Sequence, residues 1–301
     1  MTSDKLFELT TFPQTLVLVG GGYIAFEFAH MAARLGSKAV ILQRGERCLL
    51  LFERDLVQRL VDKSRRLGIE VHVKTEVAAV ERTSAGEAVV YARMSGGETR
   101  RFEAAAALHA AGRVPALEEL NLAAGQIARN GHHLCLNPFL QSTSNPAVYA
   151  AGDAAALGPA LTPVASHDAA VVTSNLLHDG PPMRKPDYTG VPSVAFTIPA
   201  ITSVGLTEDE ARDRGLRFRV NQREMTDWQA VRQVQEDTAA YKMLIEEGTE
   251  RILGAHILGP DAENTISIFA LSIRLGLSTR DMERFISAFP TAASNISDML
   301  A

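Results

Sequence analysis

Near the N-terminus, apolar and polar positions follow one another in blocks that predict a β-α-β-α-β unit. A continuous apolar run at 15–19, TLVLV, is typical of a buried parallel strand, and the run KAVIL at 38–42 predicts a second one. Between them, apolar residues recur at helical spacing: Ile24, Phe28, Met31 and Leu35. A second helix is predicted near 53–67, after which IEVHV resumes strand. This order predicts an α/β fold with a doubly wound sheet and right-handed crossovers.

The pattern changes after residue 76. Short apolar runs around a Gly96-Gly97 turn predict an antiparallel meander over 77–103, and AAAALHAA at 104–111 predicts a return to a buried strand. The stretch 116–182 is rich in loops. Within it we expect a strand at 147–151, AVYAA, and a helix from about 163 to 178.

The C-terminal part has a third pattern. Pro181-Pro182 and the polar residues after them predict a linker with a boundary near 185. Beyond it, the runs VPSVAFTI, AYKMLIEE and ILGAHIL predict strands. Helices are expected near 207–214, 261–276 and 279–288. The residues 187–301 are therefore predicted to form an α+β domain.

Composition narrows the class of protein. The chain of 301 residues carries 30 basic and 35 acidic side chains, and its net charge of −5 argues against a dedicated nucleic-acid binder. No apolar run reaches the roughly 18 residues that a membrane span needs, and no signal-peptide pattern opens the chain. Cys48 and Cys135 form no C-x-x-C pair, which favours a reducing cytoplasm. His132-His133 with Cys135 has no second ligand pair, so no metal site is predicted.

A glycine-rich turn lies between the first strand and the first helix. Gly20 would permit the tight turn, Gly22 would let a pyrophosphate approach the backbone, and the small Ala25 would let the helix pack on the strand. The free N–H groups of the helix N-terminus would attract the phosphates. This context predicts a dinucleotide site.

The end of the second strand bears on the choice of coenzyme. An acidic residue there accepts hydrogen bonds from the ribose 2′-hydroxyl of NAD, but the residue here is Gln43. Arg44 and Arg47 follow, and guanidinium groups suit the 2′-phosphate of NADP(H). Glu46 in the same loop leaves NAD(H) open as the alternative.

Five motifs in order resemble those of the pyridine nucleotide–disulfide oxidoreductase family, which includes glutathione reductase, dihydrolipoamide dehydrogenase and mercuric reductase. They are Val19–Ala29, Ala111–Pro115, Tyr149–Asp153 with Leu161–Ala165, Val204–Glu208 and Gly254–His256. The resemblance implies a Rossmann-like NAD(P)-binding domain at 14–113 after a connector at 1–13. It also implies the C-terminal segment of an FAD-binding domain at 114–182 and a dimerisation domain at 187–301 that forms a homodimer.

The resemblance also implies roles for single residues around the nicotinamide. Tyr23 and Ile24 belong to the nucleotide fingerprint, and Tyr23 would cover the nicotinamide pocket. Glu27 would lie near the flavin–nicotinamide contact and pair with a lysine from the other half of the family's proteins. Gly112 would let the backbone approach the nicotinamide ribose.

A second group of residues would serve FAD. The resemblance implies that Asp153, after Gly152, accepts a hydrogen bond from a ribityl hydroxyl. Thr162 and Pro163 read independently as the N-cap and first residue of a helix. The resemblance places that helix terminus at the flavin pyrimidine ring, where its dipole would stabilise negative charge.

The sequence also departs from the family. Phe289 stands where many members have an acid–base histidine, and Ser294 stands where its glutamate partner is expected. The family's front half, with the ADP grip and the C-x-x-x-x-C disulfide, is expected to be missing here.

Two functions therefore stay open. The first is an FAD-dependent NAD(P)H oxidoreductase, present as a fragment that does not reduce disulfides. The alternative is a non-catalytic, nucleotide-binding module that forms dimers. An NAD(P)H dehydrogenase that acts without flavin is a weaker alternative, since no acid–base residue for a substrate alcohol is apparent.

Overall fold

The computed structural model describes all 301 residues, which divide into two compact units. One unit combines Met1–Gly112 with Pro192–Ala301, and the other is Arg113–Val191. The helices and strands of Met1–Gly112 are α1 (Ser3–Phe7), β1 (Thr15–Val19), α2 (Tyr23–Arg34), β2 (Lys38–Leu42), α3 (Arg54–Arg66), β3 (Glu70–His72), β4 (Glu76–Arg82), β5 (Ala88–Arg93), β6 (Thr99–Ala104) and β7 (Ala106–His109).

The predicted α/β fold is confirmed by a four-stranded parallel sheet in the order β3-β2-β1-β7. Successive side chains of β1 point to opposite faces. Leu16 and Leu18 join a core with α2 and α3, whereas Val17 joins a second core with Val90 and Phe102 of the meander. One face of the sheet is thus covered by helices and the other by the three-stranded meander β4-β5-β6.

The meander corrects one detail of the sequence analysis. The Gly96-Gly97 turn joins β5 and β6, whereas the two apolar runs of β4 and β5 are joined at 83–87. There Gly86 donates its N–H to the carbonyl oxygen of Thr83. A turn at 83–87 has only one glycine, so the glycine pair drew attention to the wrong connection.

The C-terminal part of the same unit contains a five-stranded antiparallel sheet in the order β10-β11-β14-β13-β12. Its elements are β10 (Ser193–Ala195), β11 (Ala200–Gly205), α5 (Glu208–Asp213), β12 (Phe218–Glu224), α6 (Gln229–Gln233), β13 (Ala240–Glu246), β14 (Ile252–Gly259), α7 (Ala262–Leu275), α8 (Thr279–Met282) and α9 (Ile296–Leu300). The helix expected at 279–288 is wrong in length because it ends at Met282, although α7 matches its expected range closely.

The unit Arg113–Val191 has little regular structure: a two-residue hairpin, β8 (Arg129–Asn130) and β9 (His133–Leu134), and one long helix, α4 (Thr162–Leu176). The strand predicted at 147–151 is wrong. Only Tyr149 forms a bridge, to Gln141, because no neighbouring strand runs beside this segment in the unit. No helix anywhere in the chain has the length and apolar character needed to cross a membrane.

Candidate functional site

The glycine turn after β1 has the backbone that the sequence predicts. Gly20 has φ +119°, and a Cβ built on it would lie 2.4 Å from the carbonyl oxygen of Ala110. A side chain is therefore excluded at Gly20 by both conformation and contact. At Gly22, by contrast, a Cβ would meet no atom within 4 Å. The turn thus leaves open space beside its second glycine, where a pyrophosphate could approach the backbone.

The helix that follows the turn presents an uncapped N-terminus. Gly22 is the N-cap of α2, no side chain caps it, and the first turn holds no acidic residue. Ala25 is fully buried, which allows close packing of α2 on the sheet. Tyr23 is 40% exposed and Ile24 half-buried. The unpaired N–H groups and the helix dipole make this end attractive to an anion.

The two predicted phosphate-binding arginines are placed differently. Arg44 is exposed. Arg47 is turned towards the protein: its Nη2 donates to the carbonyl oxygen of Phe52 at 3.2 Å, and its Nη1 lies 3.9 Å from Asp209 of α5. Its Nε is buried without a hydrogen-bond partner. The structure thus leaves Arg44 available to a ligand and engages Arg47 in the fold.

The acidic residue of this loop also has a partner. Glu46 forms an ion pair with Lys74, 2.7 Å from Nζ to Oε1, and both side chains are largely exposed. The hydrogen bond from Lys74 lowers the pKa of the Glu46 carboxyl. Lys74 is a third cation at this loop, beside Arg44 and Arg47, and the sequence analysis did not single it out because it lies after β3 rather than after β2.

Glu27 lies further along α2 and is half-buried. Its Oε1 accepts the backbone N–H of Phe196 at 2.8 Å. Burial raises the pKa of the Glu27 carboxyl, and the hydrogen bond from Phe196 opposes this shift. Gly112 has φ +124° and a Cβ there would meet no atom within 4 Å, so its backbone is accessible.

The predicted flavin motif lies in the unit Arg113–Val191. Gly152 is buried with φ +63°, and a Cβ on it would lie 2.8 Å from the Ala165 Cβ. Its N–H donates to Asp168 at 3.0 Å, and the hydroxyl of Tyr188 donates to the same carboxylate at 2.9 Å. Asp153 is exposed beside this turn. Burial and Asp168 raise the pKa of the Tyr188 phenol.

The start of α4 differs from the prediction by one residue. Leu161 rather than Thr162 is the N-cap, so Thr162 and Pro163 are the first two helical residues. Proline is tolerated in the first turn because its missing N–H has no intrahelical partner there. No side chain caps this terminus and its first turn has no acidic residue. The N-terminus of α4 is therefore also open to negative charge.

Asp168 and Tyr188 were missed as a pair by the sequence analysis. The neighbouring histidine does not join them: His167 Nε2 accepts the N–H of Asp187 instead. A polar residue at a position that should face the core, here four residues after Val164, is the signal that could have indicated Asp168.

A charged cluster was also missed. Lys242 of β13 is only 2% exposed, and its Nζ contacts Glu53 at 3.1 Å, Glu208 at 2.8 Å and Asp55. The carboxylates raise the pKa of Lys242 against the opposing effect of burial. Because Glu53 is the N-cap residue of α3, the cluster ties the first α/β region to the C-terminal sheet.

The residues that depart from the family are at the surface or half-buried. Phe289 is 76% exposed, and Ser294 donates to the carbonyl oxygen of Thr291 at 2.6 Å. His256 is fully buried between Ser203 and the carbonyl oxygen of Leu206, as expected for a packed histidine. No group of three or more histidine, cysteine, aspartate or glutamate side chains is arranged so that it could hold a metal ion.

The fold and the glycine turn define a dinucleotide-binding α/β protein with an added antiparallel domain. Comparison with known proteins identifies the family. Residues 1–169 match the pyridine nucleotide–disulphide oxidoreductase model, and residues 191–300 match the dimerisation domain of the same family. The chain therefore belongs to the pyridine nucleotide–disulphide oxidoreductase family, as the sequence motifs predicted.

Individual relatives agree with this assignment. An uncharacterised 19.7 kDa protein of the mercuric resistance operon of Staphylococcus aureus is 47% identical over 182 residues, which are 60% of this chain and all of that protein. A mercuric reductase of the same organism is 31% identical over 98% of this chain and 53% of its own length. A HOCl-induced flavoprotein disulfide reductase of Escherichia coli has a TM-score of 0.90 at 26% identity, covering all of this chain and 67% of that one.

The chain spans about half the length of the mercuric reductases that it matches. The relatives that are named as enzymes, among them mercuric reductase and glutathione reductase, are oxidoreductases of the pyridine nucleotide–disulfide class.

Proposed function

We propose that the chain binds NADPH in preference to NADH and is the coenzyme-binding and dimer-forming part of an FAD-dependent NAD(P)H oxidoreductase. One observation carries the proposal: Gly20 adopts a positive φ directly against Ala110 and opens the uncapped N-terminus of α2. A glycine turn that only packed a helix on a strand would not need open space at Gly22.

The coenzyme's phosphates would be held at two places. The N–H groups of the first turn of α2 would donate to the pyrophosphate oxygens. Arg44 would meet the 2′-phosphate, with charge-assisted bonds of roughly 1.5–3 kcal/mol each. Since Arg47 donates to Phe52 and lies near Asp209, it would contribute to this phosphate only through its charge.

The nicotinamide end would meet residues near the start of α2. Tyr23 is exposed enough to cover a ring and to move aside when the coenzyme enters. Glu27 is held in place by the N–H of Phe196, and burial raises the pKa of its carboxyl. Gly112 would leave room for the ribose at its exposed backbone.

The turn at Gly152 and the start of α4 offer groups that suit a flavin. Asp168 holds the backbone of Gly152, which leaves the adjacent Asp153 carboxylate free to accept a ribityl hydroxyl. The uncapped start of α4, at Thr162 and Pro163, would stabilise negative charge on a ring placed before it. Bound FAD would supply the redox chemistry, accepting hydride from NADPH and releasing electrons to an acceptor.

Calorimetry with NADPH and NADH tests the coenzyme assignment. We expect NADPH to bind at least about tenfold more tightly, and Arg44→Ala to remove that difference. Arg82→Ala replaces an exposed arginine of the meander and serves as the matched control. Equal affinities of the unsubstituted protein for both coenzymes would contradict the assignment of the 2′-phosphate to Arg44.

The second candidate is a non-catalytic, nucleotide-binding module that forms dimers. Phe289 favours it, because phenylalanine cannot transfer the proton that the family's histidine transfers. Adding FAD and NADPH to the purified chain separates the two candidates. Bleaching of the flavin absorbance by NADPH supports the oxidoreductase, whereas coenzyme binding without any flavin reduction supports the module.

Both candidates include a homodimer formed through 187–301. Large apolar side chains are exposed in this domain, at Leu271, Leu275, Phe285, Ile286 and Phe289. Such residues are typical of a surface that a second subunit covers. We expect light scattering to give a mass twice that of the 32.5 kDa chain. For Ile286→Glu we expect the measured mass to fall towards that of a single chain. A monomer at all concentrations would contradict the assembly.

A further inference from the structure

Gln43 occupies the position after β2 at which NAD-binding folds place a ribose-binding acid. Its side chain is used differently here: Nε2 donates to the carbonyl oxygen of Arg47 at 2.9 Å and so closes the loop 44–47 on itself. The backbone of Gln43 is also held on both sides. Its N–H donates to the carbonyl oxygen of His72, and its carbonyl oxygen accepts the backbone N–H of Thr75. Gln43 is therefore held in place at the start of the loop 44–47.

The same loop is joined to the glycine turn. Leu49 donates its N–H to the carbonyl oxygen of Gly21 at 2.8 Å. A Cβ on Gly21 would lie 2.9 Å from the Gln43 Cβ and 3.0 Å from the Cys48 Sγ, so the turn rests directly on these side chains. Leu49 is 3% exposed and adopts φ +48°, an uncommon conformation for leucine that the surrounding contacts maintain.

We propose that Gln43 is a positioning residue for coenzyme binding. Its amide closes the loop 44–47 through the Arg47 carbonyl oxygen, and the closed loop presents Arg44 to solvent while Arg47 faces Phe52 and Asp209. This inference rests on the proposed coenzyme site. It means that the neutral side chain of Gln43 controls the position of Arg44.

An acid at this position of an NAD-binding fold normally binds the ribose 2′-hydroxyl. The proposal predicts that Gln43→Glu does not have this effect. A carboxylate cannot donate, so its oxygen would face the Arg47 carbonyl oxygen and repel it. The loop would open instead of gaining an acceptor for the 2′-hydroxyl. Affinity for both coenzymes should then fall, because the loop and the glycine turn are joined through Leu49 and Gly21.

Calorimetry on the full chain with NADPH, NADH and 2′,5′-ADP tests this. For Gln43→Glu we expect NADPH and 2′,5′-ADP to bind about three- to tenfold more weakly, and NADH to bind more weakly as well. Gln43→Met, which keeps the shape but has no donor, should give the same losses and covers the case in which the glutamate variant fails to fold. Gln58→Glu, on the exposed side of α3, is the matched control and should change nothing.

Gln43→Lys supplies a donor again and should bring NADH, which has no 2′-phosphate, back to within about threefold of the unsubstituted affinity. The proposal is overturned if Gln43→Glu raises the affinity for NADH while that for NADPH falls. It is also overturned if the glutamate and methionine variants bind the coenzymes as the unsubstituted chain does, or if Gln43→Lys does not restore the affinity for NADH. An unsubstituted chain that binds none of the three probes would instead refute the coenzyme site itself. The two failures are thus distinguishable.

Discussion

The first α/β region, residues 14–112, and the unit Arg113–Val191 are held together by different forces. In the first, apolar side chains on alternate faces of β1 fill two cores, with fully buried residues such as Leu18, Phe26 and Val90. In the second, the buried apolar cluster consists of Leu140, Ala155 and Val171. Buried polar side chains, Asp168 and Asn175 above all, hold its loops by hydrogen bonds to backbone.

This difference explains where the candidate sites lie in each region. In the α/β region the packed sheet supports a glycine turn that is held by backbone hydrogen bonds, from the N–H of Gly20 to Leu42 and from the N–H of Leu49 to Gly21. In the other unit the turn at Gly152 depends on the carboxylate of Asp168. Loss of one side-chain hydrogen bond should therefore disturb the backbone of the turn at Gly152 more than that of the glycine turn after β1.

Protonation of His30, a buried residue of α2 in the α/β region, should have the largest effect on stability. His30 is 2% exposed, its Nδ1 accepts the N–H of Ile198, and its Nε2 lies 2.9 Å from the Ser64 Oγ. Burial lowers its pKa from 6.5 to about 4. A proton on Nδ1 would also face the N–H of Ile198, so the neutral ring is the one that fits.

The sign of the effect follows from this depressed pKa. The unfolded chain takes up a proton near pH 6.5 but the folded chain does so only near pH 4. The contribution of His30 to stability is therefore complete above about pH 6.5 and falls by about 3 kcal/mol as the pH decreases to 4, and buried His256, whose pKa is also lowered to about 4, adds a second loss over the same range. Urea unfolding across this range measures it, and His30→Gln should reduce the slope. His178→Gln, at an exposed position, is the control; an unchanged slope in His30→Gln would contradict the account.

The same difference sets how far sequence patterns could predict the structure. The elements β1, α2 and β2 lie where apolar periodicity predicts them, because periodicity reports which side chains a core must bury. The strand predicted at 147–151 does not form, since Tyr149 bridges only to Gln141 and Asn145 to Val148 form a local turn. Polar networks depend on which residues meet in space, and no periodicity reports that.

The candidate site shows the same limit. Gly20 could be assigned from sequence because its φ of +119° is a backbone conformation that essentially only glycine adopts. The roles of Arg44 and Arg47 could not be separated, since both follow β2 and both carry a guanidinium group. What separates them is contact with Phe52 and Asp209, and Asp209 lies in the C-terminal domain, far along the chain.

Asn175 offers the sharpest test of the polar network in the unit Arg113–Val191. The side chain is 4% exposed and makes four hydrogen bonds: Nδ2 donates to Phe139 and Arg184, and Oδ1 accepts from Met183 and Arg184. Asn175→Leu keeps the size and adds apolar surface, which would stabilise a site held by packing. Because backbone groups of Phe139, Met183 and Arg184 lose their partners, we expect instead a loss of about 2 kcal/mol.

Hydrogen exchange locates that loss. The amides of Met183 and Arg184 should exchange faster in Asn175→Leu, while those of β1 and β2 keep their protection, since the α/β core does not depend on this side chain. Asn130→Leu, at an exposed position of the short hairpin, is the matched control. If Asn175→Leu were neutral or stabilising, the small apolar cluster at Leu140 and Val171 would suffice to hold the unit. The two regions would then differ only in the size of their apolar cores.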